Sequence, residues 1–186
     1  MKKLLFVAAA ALLCLAGCAK PVKVTTEIPA DYIGKMHVES VNVTYGEAVK
    51  DKVTEDDAKR AEEAKTEPSD KEYVDLPLSE MLAKVLQEDL AEANANGPDA
   101  VSVDIMLDTI KFANAAVSIL IGDQDQIAGL VTVKDASSGN TVGEFYVDVI
   151  NSSSGLLGLA IRGGGVREKL ASEFADHIVD QIAPKK

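Results

Sequence analysis

Tryptophan is absent from this 186-residue chain, and phenylalanine and tyrosine number only four each. Stacking on bases or sugars is therefore poorly supported, and a core must be built from Val, Ile, Leu and Ala. Cysteine is almost as scarce, since Cys14 and Cys18 are the only two and both fall within the first 18 residues. Beyond that point disulfides, thiolate catalysis and cysteine-ligated zinc all drop out. Positive charge is short as well, with 19 basic residues against 30 acidic and a net charge of -11. Such a protein repels phosphate backbones and anionic lipid, which argues against nucleic acid as a partner. Any membrane contact then has to come from acyl chains rather than a basic patch. A long hydrophobic run is also missing: the amino-terminal one is roughly 15 residues, short of the ~20 needed to span a bilayer as a helix.

What the amino terminus does contain is an address. Lys2 and Lys3 form a positive n-region, Leu4 to Leu13 an apolar h-region, and Leu15-Ala16-Gly17-Cys18 follows at once. The arrangement resembles the bacterial lipoprotein signal, in which residues 1–17 are removed and Cys18 carries lipid. Its only possible disulfide partner, Cys14, lies inside the h-region. Removing Lys2 and Lys3 from 19 basic residues leaves 17 against 30 acidic, so the mature chain carries -13. Each buried methylene contributes about 0.8 kcal/mol, and the several acyl chains implied by the resemblance would hold the protein on a bilayer permanently. Ala19 stands where Asp signals inner-membrane retention in enteric bacteria, so the resemblance implies the periplasmic face of the outer membrane.

Periodicity divides the rest. Residues 18–30, with Pro21 and Pro29 and no period, read as a tether, and 31–186 as one domain. Lys35 to Tyr45 alternates apolar residues but slips by one near Glu39 and Ser40, which predicts a strand with a bulge. Residues 47–72 hold ten acidic and six basic residues and few apolar ones, a charged excursion. It is either solvated and partly disordered or a protruding helix that meets a partner. Pro77 to Asn96 predicts a helix with Leu78, Leu82, Val85, Leu86, Leu90 and Ala93 on one face, capped by Asp75 or Ser79. Ala100 to Phe112, Ile127 to Ala136 and Thr141 to Ile150 predict a three-strand meander, its second turn marked by Ser137-Ser138-Gly139-Asn140. Val166 to Ala183 places Val166, Leu170, Phe174, Ile178 and Ile182 at i,i+4 spacing, a last helix stopped by Pro184. Ala113 to Gly122 fits either a short helix or a strand. The expected fold is α+β, a mainly antiparallel sheet with two helices on one face.

Chemical motifs are sparse. In Ser154 to Leu170 (SGLLGLAIRGGGVREKL), Gly158 and Gly163 have P-loop spacing, but Gly164 and Gly165 stand where Lys and Ser or Thr must be. Glu168 occupies the third glycine position of a dinucleotide fingerprint, placing an acid beside the pyrophosphate. The stretch therefore reads as a glycine-rich connection, and Leu156, Leu157, Leu159, Ile161 and Arg162 form a candidate interaction loop. Glu173, His177 and Asp180 have a helical spacing that could bring ligands together, but His177 falls off the apolar stripe and reads as solvated. Gly122-Asp123-Gln124-Asp125 starts like a calcium loop and fails at Ile127 and Ala128. No nucleophile elbow or metalloprotease signature is present. The expectation is a protein with no catalytic residues, no metal and no cofactor.

Asp135 to Phe145 (DASSGNTVGEF), followed by the glycine-rich stretch and a terminal amphipathic helix, resembles a family of small Gram-negative lipoproteins known only as a domain of unknown function. The resemblance runs from about Tyr73 to the end and implies an envelope protein with no assigned catalytic residues. Together these readings lead to a lipid-anchored, non-enzymatic interaction or assembly module with an envelope protein as partner. The alternative is a small-molecule or lipid-binding lipoprotein, with Ala113 to Gly122 and Leu156 to Ile161 lining a cleft.

Overall fold

The computed structural model describes residues 21–66, 76–93, 96–112, 124–151 and 165–184. Their elements run β1 (Val22–Thr26), β2 (Met36–Tyr45), α1 (Glu47–Thr66), α2 (Leu78–Glu92), β3 (Asp99–Lys111), β4 (Asp125–Asp135), β5 (Thr141–Asn151) and α3 (Val166–Ile182). The strands form one sheet in the order β1-β5-β4-β3-β2. All pairings are antiparallel except β2 with β3, which is parallel because α1 and α2 carry the chain back between them. The fold is α+β with a mostly antiparallel sheet, as the alternation and helical periods indicate.

Alternation decides which sheet face is buried. Val101, Val103, Ile105 and Leu107 of β3 are fully buried, as are Val131 and Val133 of β4 and Phe145 and Val147 of β5. α2 packs on β2 and on α3, and α3 packs on β4 and β5, so both helices cover this one face. Their stripes meet it through Leu78, Met81, Leu82 and Leu86 from α2 and Leu170, Phe174 and Ile178 from α3. Truncating a side chain such as Phe174 costs about 3–5 kcal/mol, because the cavity only partly collapses. The opposite face is polar and cross-linked between strands: Lys134 to Asp104 at 2.6 Å, Tyr146 to Asp108 at 2.7 Å, Gln126 to Asp148 at 2.7 Å.

The expected bulge is there, as a register shift between Val38 and Ser40 against β3. A second shift, between Leu107 and Thr109, re-aims the end of β3 so that Ile110 is also buried. One element departs from the sequence reading, and of the two readings of the charged excursion the structure takes the helix. Val22–Thr26, expected within the tether, forms edge strand β1 against β5, with Val22 opposite Val147. Gly143 makes room there for Ile28, whose Cγ1 lies 2.4 Å from where a Cβ would stand. The excursion at 47–72 is a 20-residue helix as far as Thr66, with Val53 buried at 3% exposure.

Gly97 has a different role from the helix stop that its position after Asn96 suggests. A Cβ there would lie 1.7 Å from the Lys35 carbonyl oxygen, and the Gly97 amide donates to Met36 O at 3.2 Å. Close backbone approach, not a helix end, requires glycine at this position.

Candidate functional site: a polar joint between three helices

The three helices meet at the end of the sheet where β2, β3 and β5 finish. Gly46 donates its amide to Leu107 O at 2.8 Å, fixing the end of β2 before α1 turns away. α2 begins with free amides, as every helix does. Its N-cap position is Pro77, which offers no side-chain acceptor. The amides are satisfied from elsewhere: Leu78 N–H donates to the Asp57 carboxylate at 3.2 and 3.4 Å, and Ser79 N–H to the Tyr45 hydroxyl at 2.8 Å. The cap expected from Asp75 or Ser79 is thus supplied by α1 and β2, since Pro77 fixes an extended backbone and a residue 21 positions away brings the acid.

The same carboxylate holds α3. Arg167, only 4% exposed, donates to Asp57 Oδ1, and Tyr45 O–H donates to Asp57 Oδ2 at 3.4 Å. One turn of α1 further on, Arg60 donates to Glu168 Oε1 at 2.7 Å. Burial raises the Tyr45 phenol above its usual value, so its proton stays in place at neutral pH. α3 starts at Gly165, whose φ of +98° only glycine adopts without strain; Glu168 lies against the space a Cβ would fill. Arg60 Nε, Arg167 Nε and Glu168 Oε2 are buried without a hydrogen-bond partner.

Chemically the cluster is balanced, with two guanidinium groups facing two carboxylates. It clasps α1 to the starts of α2 and α3. Sequence reading missed it, since Asp57 and Arg167 lie in a charged run and at an apparently polar helix start. The one available signal was Arg167 itself, one residue from Val166 at the head of the apolar stripe.

The residues singled out in the sequence fall differently. Cys18 and the loop residues Leu156, Leu157, Leu159, Ile161 and Arg162 lie outside the described residues, as do Asp123 and the segment Ala113 to Gly122. His177 is half-buried, and Glu173 pairs with Lys169 at 3.7 Å. Among the described residues no group of three His, Cys, Asp or Glu is placed to hold a metal ion. Ser137 and Ser138 form the expected hairpin turn, their hydroxyls and amides all donating to Asp135 Oδ1 at 2.6–3.1 Å. Those donors hold the Asp135 carboxyl down at about 2.

No family model matches the chain, and no curated protein matches it. Among solved structures it is similar to a PelC dodecamer from Paraburkholderia phytofirmans, with 9% identity over 89% of this chain and 98% of that one, at a TM-score of 0.45. It is also similar to a presumptive lipoprotein from Caulobacter crescentus CB15, with 20% identity over 55% of this chain and 80% of that one, at a TM-score of 0.34. Both scores lie under 0.5, so neither likeness carries a function to this chain.

Proposed function

We propose that the protein is an outer-membrane-anchored lipoprotein on the periplasmic side, acting as a non-enzymatic interaction or assembly module of the cell envelope. The observation that supports this reading is the Leu15-Ala16-Gly17-Cys18 box behind a basic and then apolar leader. A second support comes from the polar joint. Its carboxylates and guanidinium groups are engaged with one another and with helix amides, in a cluster that holds α1 rather than one that faces a substrate. Held in this way, α1 presents Glu55, Lys59, Glu62 and Glu63 outward as a charged surface suited to a protein partner.

The test is in-cell crosslinking of the full-length protein, with photo-reactive residues at Lys59 and Glu62 of α1 and at Leu157 and Ile161. The expected result is one envelope protein caught reproducibly at one of these surfaces. Adducts only to phospholipid or small molecules, or none at all, would sink the reading and bring the ligand-binding alternative forward.

A further inference from the structure

The sheet ends in β1 on one side and β2 on the other, and neither outer edge is paired in a strand ladder among the described residues. Asn96 bridges β2 only near its start, at His37. Beyond that point residues 40–45 (SVNVTY) carry no charge, proline or glycine, in a chain in which 26% of residues are charged. Edge strands that stay single are commonly guarded by lysine, proline or an inward charge, and this stretch has none of them. The bulge between Val38 and Ser40 comes before it.

The core is also left unfinished at both edges. Val41 and Val43 of β2 pair with Val103 and Ile105, and Val24 of β1 pairs with Phe145, so all three point to the helix-covered face. Val103, Ile105 and Phe145 are fully buried, yet Val41 and Val43 are only half-buried and Val24 is 45% exposed.

Direction and charge make the two edges complementary to each other. β1 is antiparallel to β5, β5 to β4 and β4 to β3, while β3 is parallel to β2, so β1 and β2 run in opposite directions. A β1 laid beside the β2 of a second copy therefore makes an antiparallel pair, with the helices of both copies on the same face. β1 carries Lys23 and no acid, and β2 carries Glu39 and no lysine or arginine, so the two strands attract. Pairing like edges is less favourable. Two β1 strands would set Lys23 close to its own copy. Two β2 strands would bring together the α2 helices packed on them, each with Glu80, Glu88, Asp89 and Glu92 against Lys84.

We propose that β1 of one copy adds to β2 of the next, extending the sheet head to tail through a second copy of this chain. Val24 then stands opposite Val41, Val22 opposite Val43 and Lys23 opposite Asn42, which keeps the apolar residues on the helix side and the polar ones outside. Each addition leaves one β1 and one β2 free at the ends, so the assembly grows until its rotation closes a ring, or runs on as a filament. The contact uses no residue of the leader and does not depend on lipid at Cys18, so it stands apart from the anchored reading.

The experiment is disulfide trapping of the full-length protein in cells, with a mild oxidant and non-reducing gels. Lys23→Cys and Asn42→Cys are combined in one chain, both at exposed positions. Within a copy the two lie on opposite edges of a five-stranded sheet, four strand spacings or about 19 Å apart, too far for a disulfide. Only a neighbouring copy can bridge them. The parent protein reads any contribution from Cys14 and Cys18. The expected result is a ladder of dimers, trimers and higher oligomers, several-fold stronger than from the parent, from either single variant, or from Lys23→Cys with Ser138→Cys on the hairpin. Lys23→Cys combined with Ser40→Cys or with Thr44→Cys covers a slip of two residues in register. No ladder above these controls from any of the three pairs overturns the proposal. A dimer from Asn42→Cys alone, as strong as the double variant's, overturns it in favour of β2 pairing with β2.

Discussion

Arg167, in the first turn of α3, donates to Asp57 of α1, a residue 110 positions earlier in the chain. The same carboxylate accepts from the first amide of α2. One side chain thereby joins three helices, two of which cover the core. Arg167→Ala leaves a buried carboxylate without its cation, and the expected loss is about 3 kcal/mol of stability by urea unfolding. Asp57→Ala also uncaps α2, adding about 1 kcal/mol. The apolar pair Arg167→Met with Asp57→Leu should recover part of the Arg167→Ala loss, because neither charge is then stranded. A single Arg167→Ala variant within 0.5 kcal/mol of the parent, to take a rough surface-substitution value, would refute the joint.

Gly97 supplies a harsher test. Its Cβ site overlaps the Lys35 carbonyl, and backbone cannot rotate away as a side chain tip can. Gly97→Ala is expected to cost about 3 kcal/mol or more, since β2 must shift away from Gly97 to admit one methyl. Gly139→Ala, with nothing within 4 Å of its Cβ site but a φ of +72°, should cost less, about 1 kcal/mol. Equal losses by thermal unfolding would contradict the close approach.

Asp135 gives a pH signature. Its carboxyl lies at about 2 in the folded protein against 3.8 ordinarily, held down first by the Ser137 hydroxyl and then by the Ser138 amide and hydroxyl. A depressed carboxyl contributes stability that is complete above 3.8 and is lost as pH falls through 2. Carboxyl-carbon NMR should find Asp135 titrating well below the other acids. Ser137→Ala with Ser138→Ala should return it toward 3.8.

Asp89 is perturbed the other way. Burial raises its carboxyl, and Asp176, Glu92 and Glu88 add to the effect; its Oδ2 has no partner. A raised carboxyl destabilises the charged state, so the penalty is absent below 3.8, appears as pH rises through the raised value, and is full at neutrality. Asp89→Asn should therefore stabilise the protein at pH 7 by about 0.5 kcal/mol once solvent screening is allowed for, and change little at about pH 3. A penalty of the same size at both pH values would assign the effect to packing instead.

The elements that sequence reading located are those whose signal is local. The i,i+4 spacing of Leu170, Phe174, Ile178 and Ile182 defines a helix and its buried face together, because 3.6 residues per turn align them whatever lies opposite. The slip near Glu39 and Ser40 likewise foretells the bulge between Val38 and Ser40, since one residue out of step turns every later side chain to the other face. β1 escaped notice because a five-residue edge strand between prolines has no period long enough to see, and its pairing with β5 is over 100 residues away in sequence.

Sequence alone determined the polarity of each sheet face, the two core helices, the Asp135–Asn140 turn and the expectation of an anchor at Cys18, because each depends on neighbours within a few residues. Tertiary structure decided the rest. It made α1 a helix by giving Asp57 and Arg60 partners on α3, brought Asp57 to cap α2 in place of a local acid, and drew Val22–Thr26 out of the tether into the sheet. In each case the stabilising contact joins residues whose separation in sequence carries no pattern, and only the folded chain brings their charges and amides within hydrogen-bonding distance.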